Sequence, residues 1–295
     1  MTQSLTENPI DTGSQASWGA LASSHYENFP VGSFLLPRAA RQHLHRIYAF
    51  ARTADDLADE MRDAAALASF RASFLDHVSG RADDVALFRD LCTSMRACDL
   101  DSRLFTDLLD AFAQDLTVRR YDLPGLLDYC RRSADPVGRL VLRVCGHRDA
   151  ALDALSDRIC TALQLLNHLQ DMASDLRERD RVYFPAADLA RYGVAEQDLR
   201  APVASRGLRA LAMEWVQRLR TEFAAGWELT ERVRGRLRLE LRAILRGASA
   251  VLDRIEAADG DVLAGRVRLG RMQQVGCLLG ALWPQAPRGL RRALA

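Results

Sequence analysis

An all-α fold is predicted by three observations. Leucine, alanine and arginine dominate the chain, β-branched residues are sparse, and no apolar/polar alternation survives for more than a few residues. Apolar periodicity places helices near 17–24, 38–62, 64–78, 83–97, 101–116, 123–146, 149–176, 186–191, 205–231, 235–257, 261–266 and 271–282. Breaks fall at Pro30, Gly80, Pro124 with Gly125, Gly146, Pro185 and Gly260. None of them is long enough for an interdomain linker, so a single domain over 18–295 is expected after a polar tail, 1–17. At 295 residues and 48% hydrophobic content the chain can bury a substantial core.

Composition excludes several classes of function. A net charge of +1 argues against nucleic acid as the main partner. The chain contains no lysine, which removes P-loop and Schiff-base chemistry and leaves every oxyanion contact to a guanidinium fork. Cys92, Cys98, Cys130, Cys145, Cys160 and Cys277 show no CxxC spacing and mostly sit among apolar residues, as reduced packing thiols do. No apolar run reaches membrane-spanning length, and the first residues lack the basic-then-apolar order of a secretory signal, so a cytoplasmic protein is expected.

Two acidic stretches stand out. In the first, Asp55, Asp56 and Asp59 interrupt a helical pattern carried by Ile47, Phe50, Ala51, Ala54, Leu57, Ala58 and Met61, with Asp55 and Asp59 one turn apart. A solvated helix end and a cation site are both open at this point. In the second, Gln164, Asn167, Asp171 and Asp175 are spaced three, four and four, which lays them on one face of a helix whose other faces carry Leu163, Leu165, Leu166, Leu169 and Met172. Ionised carboxylates are rarely buried without a counter-charge or a metal. Two such stripes suggest helices facing each other across a bundle interior. Hard oxygen donors suit Mg²⁺, which keeps waters and is completed by substrate phosphates. Arg52 and Arg181 are placed to contact those phosphates. An acidic mouth with an apolar interior describes a site for a lipid diphosphate.

Three further stretches carry weaker signals. The loop holding His25, Tyr26, Asn28 and Phe29 is rich in hydrogen-bonding groups and is read either as a site-closing loop or as an ordinary helix connection. Around Ser133 and Gly138, Pro136 implies either a kink that frees the carbonyl of Arg132 or the first turn of a new helix, and Gly138 permits close helix approach. Arg232, Arg234, Arg236, Arg238, Arg242 and Arg246, followed by Leu278, Leu279, Leu282 and Trp283, favour either an anionic membrane surface or a solvated face beside a core helix.

The arrangement Arg52-x-x-Asp55-Asp56-x-x-Asp59, then Tyr129 ahead of Gly138, then Asn167-x-x-Gln170-Asp171-x-x-x-Asp175 followed by Arg181 and Tyr183, resembles the squalene and phytoene synthases over about residues 20–285. The resemblance implies a single isoprenoid-synthase helical bundle with a central apolar cavity and more than one Mg²⁺ held by Asp55, Asp56, Asp59, Asn167, Asp171 and Asp175. Within the family, the His25–Phe29 stretch and the Ser-Ala-Asp-Pro sequence starting at Ser133 look most like the hydroxysqualene synthases of bacterial hopanoid biosynthesis. That likeness implies Mg²⁺-dependent conversion of presqualene diphosphate to hydroxysqualene with no nicotinamide. Arg52, Asp55, Asp59, Tyr129, Asp171 and Asp175 would be catalytic. His25, Tyr26, Asn28, Phe29, Ser133, Gly138, Gln164, Asn167, Arg181 and Tyr183 would bind substrate. The expected partners are a prenyl diphosphate, upstream and downstream enzymes of the same pathway, and the inner membrane face as a peripheral contact. A complete squalene or phytoene synthase is the nearest alternative reading. A nucleotide pyrophosphatase and a non-catalytic helical scaffold are the readings from other classes.

Overall fold

The computed structural model describes residues 35–81 and 85–293. The helix expected at 17–24 and the loop with His25, Tyr26, Asn28 and Phe29 lie outside these residues. The chain forms two compact units, the first ending at Leu116 and the second beginning at Thr117. Among the described residues both are helical, and the sole extended pairing is an isolated parallel bridge between Arg120 and Val182.

The first unit comprises α1 (Arg38–Asp59), α2 (Ala64–Val78), α3 (Ala86–Cys98) and α4 (Ser102–Asp115). Its core is aromatic. Phe50 of α1 is fully buried, and its ring lies 5.2 Å from Phe70, 4.9 Å from Phe74 and 5.3 Å from Phe105, with Phe88 closing the cluster. Tilted and edge-on geometries of this kind suit the ring quadrupoles. α1 stops at Asp59 instead of running to 62. Glu60 and Met61 both donate their N–H to the Asp56 carbonyl, and Arg62 turns the chain at φ 52°. Met61, expected in the core, is exposed as a result. Asp63 then caps α2, accepting from the Ala66 N–H at 2.8 Å.

The second unit comprises α5 (Leu123–Ser133), α6 (Asp135–Val144), α7 (Ala150–Arg179), α8 (Ala186–Arg191), a 3₁₀ turn at Glu196–Arg200, α9 (Arg206–Gly226), α10 (Leu229–Arg232), α11 (Gly235–Ala257), α12 (Arg271–Gly280) and α13 (Arg288–Arg292). The thirty-residue α7 packs against α6 and α9 and is the spine of this unit. Asp149 caps its first turn, and Asp180 ends it in the left-handed region at φ 53°.

Three expectations are revised here. The helix over 123–146 divides at Ala134, and Pro136 sits in the first turn of α6, where its missing N–H costs nothing; a boundary forms, not a kink. The helix over 205–231 divides after Gly226. Residues 261–266 are not helical, because the Asp261 carboxylate takes the N–H groups of Ala204 and Leu263 and the Arg209 guanidinium instead of starting a helix.

Gly138 is demanded by packing. A Cβ there would collide with Ser156 Oγ and Cys160 Sγ of α7, so the absence of a side chain sets how closely α6 approaches. Gly138→Val should therefore destabilise the protein by about 1–3 kcal/mol, and Phe88→Ala by about 3–5 kcal/mol, as read by urea unfolding. Equal stability to the parent in either variant would contradict this packing.

Candidate active site

In the first unit the acidic stretch occupies the last turn of α1. Its apolar face, with Ile47, Tyr48, Phe50, Ala54, Leu57 and Ala58, is buried. Arg52 and the carboxylates of Asp55, Asp56 and Asp59 fall on the partly open side. The Arg52 guanidinium lies 3.3 Å from Asp55, 2.5 Å from Asp56 and 2.7 Å from Glu60. Burial works against the Arg52 charge, but the carboxylates of Asp56, Asp55 and Glu60 more than offset it and raise its pKa. This turn is thus a preassembled charge network, able to exchange carboxylate partners for an incoming anion at Arg52.

In the second unit, Gln164, Asn167 and Asp171 are the half-open positions of a helix whose flanking residues, Leu163, Leu165, Leu166, Leu169 and Met172, are buried; Asp175 is buried one turn on. Desolvation raises the pKa of Asp171 even with the Arg266 guanidinium 3.0 Å away and Arg179 and Arg268 nearby. Arg179 lies 3.5 Å from Asp175. A group of carboxylates held part-desolvated beside arginines fits a cation-binding role for the stripe. Among the described residues no three metal-ligating side chains gather into a cage. Two carboxylates one turn apart, with an amide beside them, are the kind of partial oxygen shell that Mg²⁺ takes when a diphosphate supplies the rest.

Beside the stripe stands an aromatic wall. The His168 ring stacks on Tyr183 at 3.5 Å, Tyr121 stacks on the same tyrosine at 5.4 Å, and Tyr129 lies 5.7 Å from Tyr183 and 6.2 Å from His168. All four side chains are buried, as is Arg181, whose Nη1 donates to the Tyr183 hydroxyl at 3.4 Å. Local folding explains the placement. Val182 donates its N–H to the Arg119 carbonyl at 2.9 Å, pinning the segment after α7 to the segment before α5. Arg120 spans Asp180 at 2.9 Å and Glu196 at 2.5 Å across the join. Desolvation, and secondarily the charge of Arg181, push the His168 pKa down to about 3, so its imidazole is neutral.

Tyr129, Arg181 and Tyr183 therefore come together with α7, as do Gln164, Asn167, Asp171 and Asp175 along it. Gly138 lies against Ser156 and Cys160, as a packing position. Ser133 ends α5 with its Oγ buried and lacking a hydrogen-bond partner among the described residues. Three neighbours of the stripe were not singled out as site residues. His168 reads in sequence as one more position of a buried helix. Gln170 donates its Nε2 to the Val267 carbonyl at 2.5 Å. Arg266 pairs with Asp171 from nearly a hundred residues away, and no local pattern signals such a contact.

The model of the squalene/phytoene synthase family matches residues 22–273. The chain belongs to that family. Its helical architecture is the isoprenoid-synthase fold, and it is an enzyme of the squalene/phytoene synthase kind. It is 40% identical over 192 residues to a hydroxysqualene synthase from Zymomonas mobilis, a match spanning 62% of this chain and 63% of that protein. It is 32% identical over 268 residues to a hydroxysqualene synthase from Sinorhizobium fredii, covering 89% and 90% of the two chains. A crystal structure of a squalene synthase from Alicyclobacillus acidocaldarius superposes with a TM-score of 0.75 at 38% identity, covering 83% of this chain and 94% of that one.

Asp135, in the stretch that departs from the common family pattern, receives a hydrogen bond from the Thr161 hydroxyl at 2.8 Å. Burial pushes its carboxyl from the usual 3.8 up to about 7. Because the folded pKa lies above the unfolded one, the contribution of Asp135 to stability is fully present below about pH 4 and is lost as pH rises to about 7, at up to about 1.4 kcal/mol per unit. Asp135→Asn should flatten this dependence, making the variant gain on the parent between pH 5 and pH 8 in urea midpoints. Parallel pH profiles for the two proteins would show that Asp135 is already ionised.

Proposed function

We propose that this enzyme converts presqualene diphosphate to hydroxysqualene. The observation that carries the reading is the stripe of half-open Asn167 and Asp171 with buried Asp175, set beside buried Arg181 and the Tyr129, Tyr183 and His168 rings. It joins leaving-group binding to an aromatic environment for a cation. Family membership and two relatives named as hydroxysqualene synthases support it.

In this reading Arg52 and Arg181 bind diphosphate oxygens, and Asp55, Asp56, Asp59, Asn167, Asp171 and Asp175 are the residues that would hold Mg²⁺, which would supply positive charge to neutralise the diphosphate. The carbon–oxygen bond breaks with both electrons leaving on the diphosphate, so no protein nucleophile is needed. The face of Tyr129, beside the stacked Tyr183 and neutral His168 rings, stabilises the cyclopropylcarbinyl cation while it rearranges, since aromatic rings attract cations and an uncharged imidazole does not repel them. Water adds to the tertiary cation and loses a proton, with the Tyr129 hydroxyl positioning it. No hydride is consumed, so no nicotinamide is required.

The alternative, complete head-to-head coupling of two farnesyl or geranylgeranyl diphosphates, draws on the name of the Alicyclobacillus structure. Purified protein given Mg²⁺ and presqualene diphosphate without reductant should release hydroxysqualene; absence of that product would reject the proposal, and consumption of farnesyl diphosphate alone would favour the alternative. Asp55→Ala and Asp171→Ala should each lower turnover by about 100-fold or more while the melting curve stays cooperative. Mg²⁺ with inorganic diphosphate should raise the thermal midpoint of the parent and not of Asp171→Ala.

A further inference from the structure

No Asp or Glu follows Asp261, whereas Arg266, Arg268, Arg271, Arg288, Arg291 and Arg292 do, so the end of a nearly neutral chain is strongly basic. All six arginines are exposed; Arg266 pairs with Asp171 and Arg268 acts on the same carboxylate, which leaves Arg271, Arg288, Arg291 and Arg292 as the exposed charges away from the acidic stripe. Within this segment α12 has no buried residue. Met272, Val275, Leu279 and Trp283 recur at intervals of three, four and four, and they are exposed, Met272 by 83% and Trp283 by 62%. Leu278 and Leu282 widen the same exposed surface. A stripe of this kind is anomalous on a water-facing helix and marks an interaction surface.

The helix is rigidly presented. Arg246 of α11 donates to the carbonyls of Trp283 at 3.2 Å and Gln285 at 2.6 Å, while its guanidinium stacks over Trp227 at 5.6 Å. Gly280 leaves room for the Arg246 stem, whose Cδ lies 3.1 Å from where a Cβ would be. Of the earlier basic stretch, only Arg232, Arg234 and Arg236 are exposed; Arg242 is buried and Arg246 is this strut. Along the chain, α12 lies between Arg266, Arg268 and Arg271 at its start and Arg288, Arg291 and Arg292 after it.

We propose that α12 and the turn after it form a docking surface for an anionic lipid bilayer, with Met272, Val275, Leu279, Leu282 and Trp283 entering the interface and Arg271, Arg288, Arg291 and Arg292 meeting lipid phosphates. Charge complementarity selects this occupant. A second copy of the chain, paired about a two-fold axis, would bring the same arginine-rich segment against itself. Guanidinium forks suit phosphate oxygens, and a tryptophan beside leucines suits the headgroup boundary. No helix among the described residues is long and apolar enough to cross a membrane, so α12 lies on the surface. The proposal does not depend on which reaction the enzyme performs.

The test is sedimentation of the full chain, without substrate, with phosphatidylcholine vesicles and with vesicles containing phosphatidylglycerol. Binding should be at least ~10-fold stronger to the anionic vesicles and should weaken in high salt. The combined variant Met272→Glu, Leu279→Glu, Trp283→Glu should lose about 10-fold in binding while keeping the parent's melting curve, these positions being exposed. The indole emission of the parent should shift to the blue on adding anionic vesicles, and that shift should vanish in Trp283→Phe. A parent that stays in the supernatant, or a triple variant that binds as well, overturns the proposal. A parent that self-associates through α12 without binding vesicles overturns it in favour of a second copy.

Discussion

A carboxylate on a helix packed on most of its surface must be neutralised or stay wet, because removing an ionised group from water costs more than ordinary packing returns. α7 meets this constraint by keeping Gln164, Asn167 and Asp171 half-open along one face while the leucines around them are buried. The rest of the second unit is arranged around that face. α6 closes on Ser156 and Cys160, earlier along α7, because Gly138 has no side chain, and the chain after Asp261 crosses the stripe, with Arg266 on Asp171 and the Val267 carbonyl on Gln170. Desolvation still raises the Asp171 pKa, so these arginines balance the stripe only in part.

Having no lysine, the chain uses arginine for three distinct tasks. Some forks are structural. Arg139 grips Asp157 at 2.9 and 2.5 Å, and Arg143 grips Asp153 at 2.8 and 2.5 Å, both tying α6 to α7 in bidentate geometry. These partly buried forks fix the orientation of α6 on α7. Arg52 and Arg181 differ: Arg52 sits among carboxylates, and Arg181 is buried beside the Tyr183 hydroxyl. Arg246 is a third case, a cation spent as a strut between an indole ring and two carbonyls.

The acidic stripes were legible because helical spacing is a local property: intervals of three and four put Gln164, Asn167, Asp171 and Asp175 on one face whatever surrounds the helix. The strong apolar periods of α1 and α11 were legible for the same reason. The break at Ala134 was left open, since proline is compatible both with a kinked helix and with a first turn. Residues 261–266 read as helix in the sequence but are not helical, because the deciding contacts, from the Asp261 carboxylate to Ala204 and Arg209, span more than fifty residues.

The sequence by itself determined the helical class, the family and the identity of the acids and arginines, since composition, period and motif spacing are carried by neighbouring residues. Tertiary structure decided what each polar group faces. It made Gly138 a point of helix contact, stacked neutral His168 on Tyr183 beside Tyr129, brought Arg266 to Asp171, and left the apolar face of α12 uncovered. Burial and charge pairing depend on residues distant in the chain, and only folding brings those together.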